Sequence, residues 1–265
     1  MIGKHLTSAA LGLVLAGVTA LSATAQDSLT VGANIGNVPW EFQNDAGEYV
    51  GFEIDLVSEV AGRLGIPQVE VVNIPFNGLF SAVQSGRIDV ATSSITITDE
   101  RLESVSFAQP YYDSDQSLTV ATGGPASLDE MDGKVVGVDT GSTGDMWATE
   151  QADAYGFAEI RRYEGLNPAM LDLAAGRIDG YISDIPALLY YSKDKPNITV
   201  AQRIETGEQY SMMFAKDAEL AVQVNEVLTA MKEDGSLAAL HEKWFGSAPD
   251  EGTSTATVLP MPTLD

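Results

Sequence analysis

Two stretches of the chain read as copies of one another: NGLFSAVQSGRIDVATSS from Asn77 to Ser94, and NPAMLDLAAGRIDGYISD from Asn167 to Asp184. Laid over each other without a gap, they share the opening Asn, the tetrad Gly-Arg-Ile-Asp and a Ser one place before the end. Each copy predicts a helix, a stop at Gly86 or Gly176 in the left-handed region, and a strand. Asn77 and Asn167 are expected as helix N-caps, with Pro168 in the first turn where its missing N–H costs nothing. Arg87 and Arg177 follow a helix C-terminus, where the backbone dipole favours a cation. Asp89 and Asp179 are expected to open a strand and stay solvated.

Strand and helix patterns alternate around both copies. SLTVGAN, QVEVVNI, NITVAQR and YSMMFAK read as strands. GFEIDLVSEVAGRLG carries Ile54, Val57, Ala61 and Leu64 on one helical stripe. DAELAVQVNEVLTAMKEDG and SLAALHEKWFG are amphipathic helices. Two α/β units with mostly parallel sheets are therefore expected, one copy in each. Ligands of such sheets gather beyond the C-terminal strand ends. Ser94 and Asp184 sit just past two such ends, which makes them opposite walls of one cleft if the halves face each other.

The residues around these two positions suggest what the cleft receives. TSSITITDER sets the hydroxyls of Ser94 and Thr96 near Arg101, whose guanidinium grips a carboxylate through two parallel hydrogen bonds. TGSTGDMW brings Gly141, Ser142 and Thr143 to a helix start, where free N–H groups attract anions. Asp184 is the natural acceptor for an ammonium. A carboxylate and an ammonium on neighbouring atoms describe an α-amino acid.

Composition removes most other classes. The first 25 residues combine Lys4 and His5, the apolar run LGLVLAGV and Ala23-Thr24-Ala25, the pattern of a cleaved secretory signal peptide. No cysteine occurs, which excludes disulfides, thiolate metal sites, cysteine nucleophiles and a lipid anchor directly after the signal. A soluble periplasmic protein is expected. The formal charge of −24 becomes −25 when Lys4 leaves with the signal, and such a surface repels nucleic acid and anionic lipid. After export His241 is the one remaining histidine. No Ser-His-Asp triad, zinc site or phosphate loop can be assembled, and the Ser-x-x-Lys match at Ser192–Lys195 lacks its companion motifs. No catalytic residue, cofactor or metal is expected.

At GFEIDLVSEVAGRL (Gly51–Leu64), ITITDER, VSFAQPYY and GRIDGYISD the chain resembles the periplasmic proteins that deliver polar amino acids to ABC importers, the family 3 extracellular solute-binding proteins. The resemblance covers about residues 28 to 247. It implies a two-lobed clamshell of type II, each lobe a mostly parallel sheet flanked by helices, joined by two crossing strands. Residues 26–113 and 209–247 would form lobe 1 and 114–208 lobe 2, with 248–265 a disordered Pro/Ser/Thr tail. It further implies that Arg101, Thr96 and Thr143 hold the α-carboxylate and that Asp184 holds the ammonium with Ser94. Phe76 would pack on the ligand side chain. The position usually filled by a second ring is Asn37, and Asp139 matches a position that can meet the side chain. The implied partners are the importer's membrane subunits, and a monomer is expected.

Several readings stay open. Phe76 serves either the ligand or its own helix as a hydrophobic staple, Trp40 is either core or site, and Asp139 is either an exposed loop carboxylate or a cleft residue. The rival function is a periplasmic dehydratase on the same clamshell, acting on an aromatic amino-acid precursor with Asp139 as its acid. A sensory input domain is a third.

Overall fold

The computed structural model describes residues 27–264, so the expected signal peptide, residues 1–25, lies outside them. The chain runs through β1 (Leu29–Ala33), a small hairpin of β2 (Phe42–Gln43) and β3 (Tyr49–Val50), and α1 (Phe52–Arg63). Then come β4 (Val69–Asn73), α2 (Phe76–Gln84), β5 (Val90–Ala91), α3 (Asp99–Leu102), β6 (Val105–Phe107) and the long β7 (Tyr112–Ala121). The next part holds β8 (Val135–Asp139), α4 (Thr143–Tyr155), β9 (Glu159–Tyr163), α5 (Leu166–Ala174), β10 (Gly180–Asp184) and α6 (Ile185–Ser192). A second long strand, β11 (Ile198–Tyr210), leads to β12 (Met213–Ala215), α7 (Glu219–Glu233) and α8 (Ser236–Phe245).

Two five-stranded sheets result, in the orders β4-β1-β5-β12-β6 and β11-β7-β10-β8-β9. Within each, the strands around the repeat are parallel: β1 to β4 and β5, and β8 to β9 and β10. The sheets are nonetheless mixed rather than mostly parallel. β12 enters the first sheet antiparallel after the chain has returned from the second, and β7 and β11 run antiparallel to their neighbours as they cross between the bodies. Alternate residues of a strand face opposite sides, so each sheet separates two cores. Val90 and Phe214 point to the core that holds Trp40, Phe52 and α7, while Ala91 and Met213 point to the one beneath α2. In the second sheet Ile182 packs with Val136 and Ala148, and Tyr181 with Leu166 and Leu173 of α5.

The repeated letters have matching structural jobs. Gly86 and Gly176 end their helices at φ 71° and 67°. Ile88 and Ile178 are buried behind them. Asp89 and Asp179 are not simply solvated strand openers. Each backbone N–H donates to a neighbouring strand carbonyl, Thr30 or Val135, while each carboxylate accepts that same residue's N–H, all at 2.8 Å. The pair fixes where β1 and β8 start relative to β5 and β10.

Asn77 and Asn167 are a correction. The N-caps are Pro75 and Gly165, one residue before helices that begin at Phe76 and Leu166. Both Asn side chains face the opposite half instead. A Cβ at Gly36 would lie 3.0 Å from the Asn167 amide nitrogen, and one at Gly141 would lie 3.5 Å from the Asn77 Cβ. The glycines leave room for close approach, and the repeated Asn marks the seam.

The segment after Gly246 also departs from expectation, because it docks. Ser254 and Thr255 are buried. Ser254 donates its N–H to Asp113 at 2.7 Å, and the Thr255 hydroxyl donates to the Tyr111 carbonyl at 2.8 Å. Lys232, buried and lowered by that burial to about 8, donates to Gln109 Oε1, to the Pro110 carbonyl and to the Thr257 carbonyl. Met261 packs on the first core. Among the described residues no helix is long and apolar enough to cross a membrane. Truncation after Gly246 is expected to cost about 2 kcal/mol or more, since Lys232 and Gln109 lose buried partners. Urea denaturation of the truncated and full chains reads this as a lower midpoint.

Candidate functional site

The loops that follow β1, β4 and β5 in one sheet face those that follow β8, β9 and β10 in the other, and a cavity of about 100 Å³ lies between them. From the first sheet it is lined by Asn34–Asn37, Phe76, Ser93, Ser94 and Thr96. From the second come Asp139, Ser142, Thr143, Glu164–Pro168, Ser183 and Asp184. Eight of the nine residues expected from the sequence are on this wall. Arg101 is the exception, standing one layer behind Thr96.

Ser94 adopts φ 45°, in the left-handed region that a non-glycine residue enters at a cost. Two buried carboxyls hold it there. Glu41, which follows the β1 loop, accepts from the Ser93 hydroxyl at 2.6 Å, and Glu53 of α1 accepts the Ser94 N–H at 2.8 Å and the Tyr111 hydroxyl. Burial first, and for Glu41 the neighbouring Glu53 next, push both carboxyls above the ordinary range. Two carboxyls in hydrogen-bond reach of one another cannot both ionise away from water, so the pair keeps a proton. With its backbone and position set, Ser94 accepts from the Asn37 amide at 3.0 Å and donates to Asp184 at 3.1 Å, across the seam.

Asp184 ends β10, and its other oxygen accepts from the Gln116 amide of β7 at 2.6 Å. Burial, then the nearby Glu208, push it up to about 7. Asp139, at the end of β8, is likewise raised by burial to about 7, against the pull of the Tyr181 hydroxyl. It belongs to the cleft wall, not to an exposed loop. Ser142 caps α4 by accepting the Asp145 N–H at 3.1 Å, which places Thr143 at the first helical turn.

Arg101 is 4% exposed. Nη1 donates to the Thr96 carbonyl at 2.7 Å, and Nη2 reaches over the seam to the Gly141 carbonyl at 3.2 Å. Nε has no hydrogen-bond partner among the described residues. The rings of Phe76 and Phe80 flank it at 5.4 and 5.2 Å. Burial lowers its pKa to about 10, while Glu208 and Asp184 pull in the other direction. Phe76 lines the cavity and, as the first residue of α2, flanks the cation together with Phe80. Trp40 is core, fully buried edge-on to Phe52, Tyr112 and Tyr210. His241 lies on α8, its ring bonded to the Ser247 carbonyl.

Two residues that the motif reading passed over stand behind this wall on the crossing strands and bond to it. Gln116 on β7 bridges Asp184 and Glu208, the latter at 3.0 Å. Glu208 on β11 accepts from the hydroxyls of Thr96 at 2.7 Å and Thr143 at 3.1 Å. The available signal was polar residues alternating along strands that otherwise read as ordinary sheet.

These raised carboxyls make stability depend on pH in a definite direction. Glu41, Glu53, Asp139 and Asp184 stay protonated in the fold after the unfolded chain has released its protons, so stability falls as pH rises through about 4 to 7. Self-repulsion of the acidic surface adds to the same trend. Below that window Asp234, held at about 2 by Arg63 and Ser236, turns the sign. Urea midpoints should peak near about pH 4 and decline toward about pH 8. A midpoint that climbs from 5 to 8 would show that these carboxyls are not held protonated.

Comparisons with known proteins place the chain in a family. Residues 29–247 match the model for bacterial extracellular solute-binding proteins, family 3. The L-cystine-binding protein TcyJ of Escherichia coli (strain K12) is 32% identical over 229 residues, covering 83% of each chain. The histidine-binding periplasmic protein of the same strain is 29% identical over 91% of this chain and 96% of its own. Among solved structures, an ancestral arginine-binding protein bound to arginine superposes with a TM-score of 0.79 at 33% identity, covering 84% of this chain and all of that one. These matches are to solute binders and give the dehydratase alternative no support. The chain belongs to the family 3 bacterial extracellular solute-binding proteins.

Proposed function

We propose that this protein captures a polar amino acid in the periplasm, between its two lobes, and presents it to the membrane subunits of an ABC importer. The observation that carries the reading is convergence: Thr96 from one sheet, and Thr143 and Asp184 from the other, border one enclosed cleft, with the Arg101 guanidinium directly behind Thr96. Arg101 and the two threonine hydroxyls take the α-carboxylate, and Asp184 with Ser94 takes the ammonium. Phe76 packs on the ligand side chain, while Asn37 and Ser142 continue the polar wall. Neither lobe satisfies both charges alone, so a ligand that touches both stabilises the closed form, the shape the importer subunits would read.

Asp139, Glu164 and Asp184 line the cavity, and among its described lining residues there is no Lys or Arg. That field favours a cationic or amide side chain over an acidic one. The relatives named for cystine and histidine, and the structure holding arginine, are polar amino-acid binders in keeping with this class. Export by the N-terminal leader and a monomeric state belong to the same reading.

A thermal-shift screen of refolded protein against the common amino acids should raise the melting temperature for polar, chiefly cationic, members. Arg101→Ala should weaken the best of them by at least about 100-fold in calorimetry, with Arg101→Lys recovering part of the loss. Unchanged affinity would end the assignment. Asp184 supplies a pH signature. A proton held with a pKa of about 7 has to leave before the ammonium binds, so affinity falls up to tenfold per unit below about pH 7. Asp184→Asn should bind weakly and lose that slope.

A further inference from the structure

Glu208 lies where the functional reading above seats the ligand carboxylate. The strand that carries it is irregular just before it. The β11–β7 register breaks between Ile204 and Glu208. The displaced residues are held by Asp115, which accepts the N–H groups of Thr206 at 2.8 Å and Gly207 at 2.7 Å and the Arg203 guanidinium at 2.7 Å. Such a bulge re-aims the side chain that follows it. Glu208 consequently turns inward and is 7% exposed, opposite Ser114.

A carboxylate only accepts hydrogen bonds, and a threonine hydroxyl has one proton to donate. The protons of Thr96 and Thr143 both go to Glu208 Oε2. Thr96 follows β5 in the first sheet and Thr143 opens α4 in the second, so one oxygen gathers donors from both lobes. Gln116 donates to the other oxygen and separates it from Asp184. Meanwhile two Arg101 donors point to backbone carbonyls. An incoming α-carboxylate would find both hydroxyl protons already committed.

We propose that Glu208 is a tethered stand-in for the ligand carboxylate: it draws Thr96 and Thr143 together across the seam, and it yields those two hydroxyls when an amino acid binds. The residue sets affinity and specificity by competition. A ligand with a carboxylate must displace it, whereas a cation without one need not. The fraction of time that Glu208 holds the seat lowers the apparent affinity by the same fraction.

The proposal rests on the functional reading for its ligand arm, but its lobe-closing arm needs no ligand. Small-angle scattering of refolded full-length protein in buffer should show a larger radius of gyration for Glu208→Ala than for the unaltered chain. Calorimetry uses L-arginine and agmatine, its decarboxylated analogue, as probes. Glu208→Gln should tighten arginine about tenfold while agmatine stays level or weakens. If the variants scatter as the unaltered protein does, or if Glu208→Gln weakens arginine, the stand-in role is wrong and Glu208 is instead a partner for a cationic group. If neither protein binds arginine but Glu208→Ala still expands, the stand-in role is supported and arginine is discarded as the solute.

Discussion

A carboxylate taken out of water has to find donors or keep its proton, and the site of this protein is built from that requirement. Asp184 cannot be satisfied within its own sheet alone. It draws one hydrogen bond from Gln116 on a crossing strand and one from Ser94 in the other lobe. Glu208 does the same with Thr96 and Thr143. Beneath Ser94, Glu41 and Glu53 hold the left-handed turn from behind. The seam between the lobes is therefore a set of acids looking for partners across a gap, a chemistry suited to gripping a small charged solute.

The duplicated unit supplies the frame on which those acids stand. Asp89 and Asp179 exchange paired hydrogen bonds with the starts of β1 and β8, which aligns the strand ends bearing the ligand loops. Asn77 and Asn167 then lie against Gly141 and Gly36 of the opposite half. Pseudo-equivalent residues thus build each jaw and also tell it where the other begins. The final letter differs, hydroxyl in one copy and carboxylate in the other, so that the two walls meet as donor and acceptor instead of as like groups.

Much of this was legible in one dimension because its causes are local. Helical periodicity, glycine stops, strand alternation and the repeat itself act over a few residues, and they yielded two α/β bodies with Ser94 and Asp184 just past strand ends and Thr143 at a helix start. The misreadings share a physical origin. An Asn before a helix is a cap only if no other partner competes, and here the competitor is the facing lobe. A Pro/Ser/Thr-rich tail is disordered only if nothing buried requires it, and Lys232 requires the Thr257 carbonyl. Beyond these, no local pattern gives the orientation of the Arg101 fork, which turns to backbone carbonyls behind Thr96 because long-range packing decides which donors face the cavity.

By itself, then, the order of residues determined the two-body α/β architecture, the placement of hydroxyls and acids at strand ends, and membership of a solute-binding family. Tertiary structure alone decided that Glu208 and Gln116 bond to Thr96, Thr143 and Asp184 from behind the cavity wall, that Asp139 and Asp184 are raised to about 7, and that the tail is part of the fold. The division follows from range. Hydrogen-bond periodicity and turn chemistry are properties of neighbouring residues, whereas desolvation and donor competition arise only when segments some ninety residues apart are brought against one another.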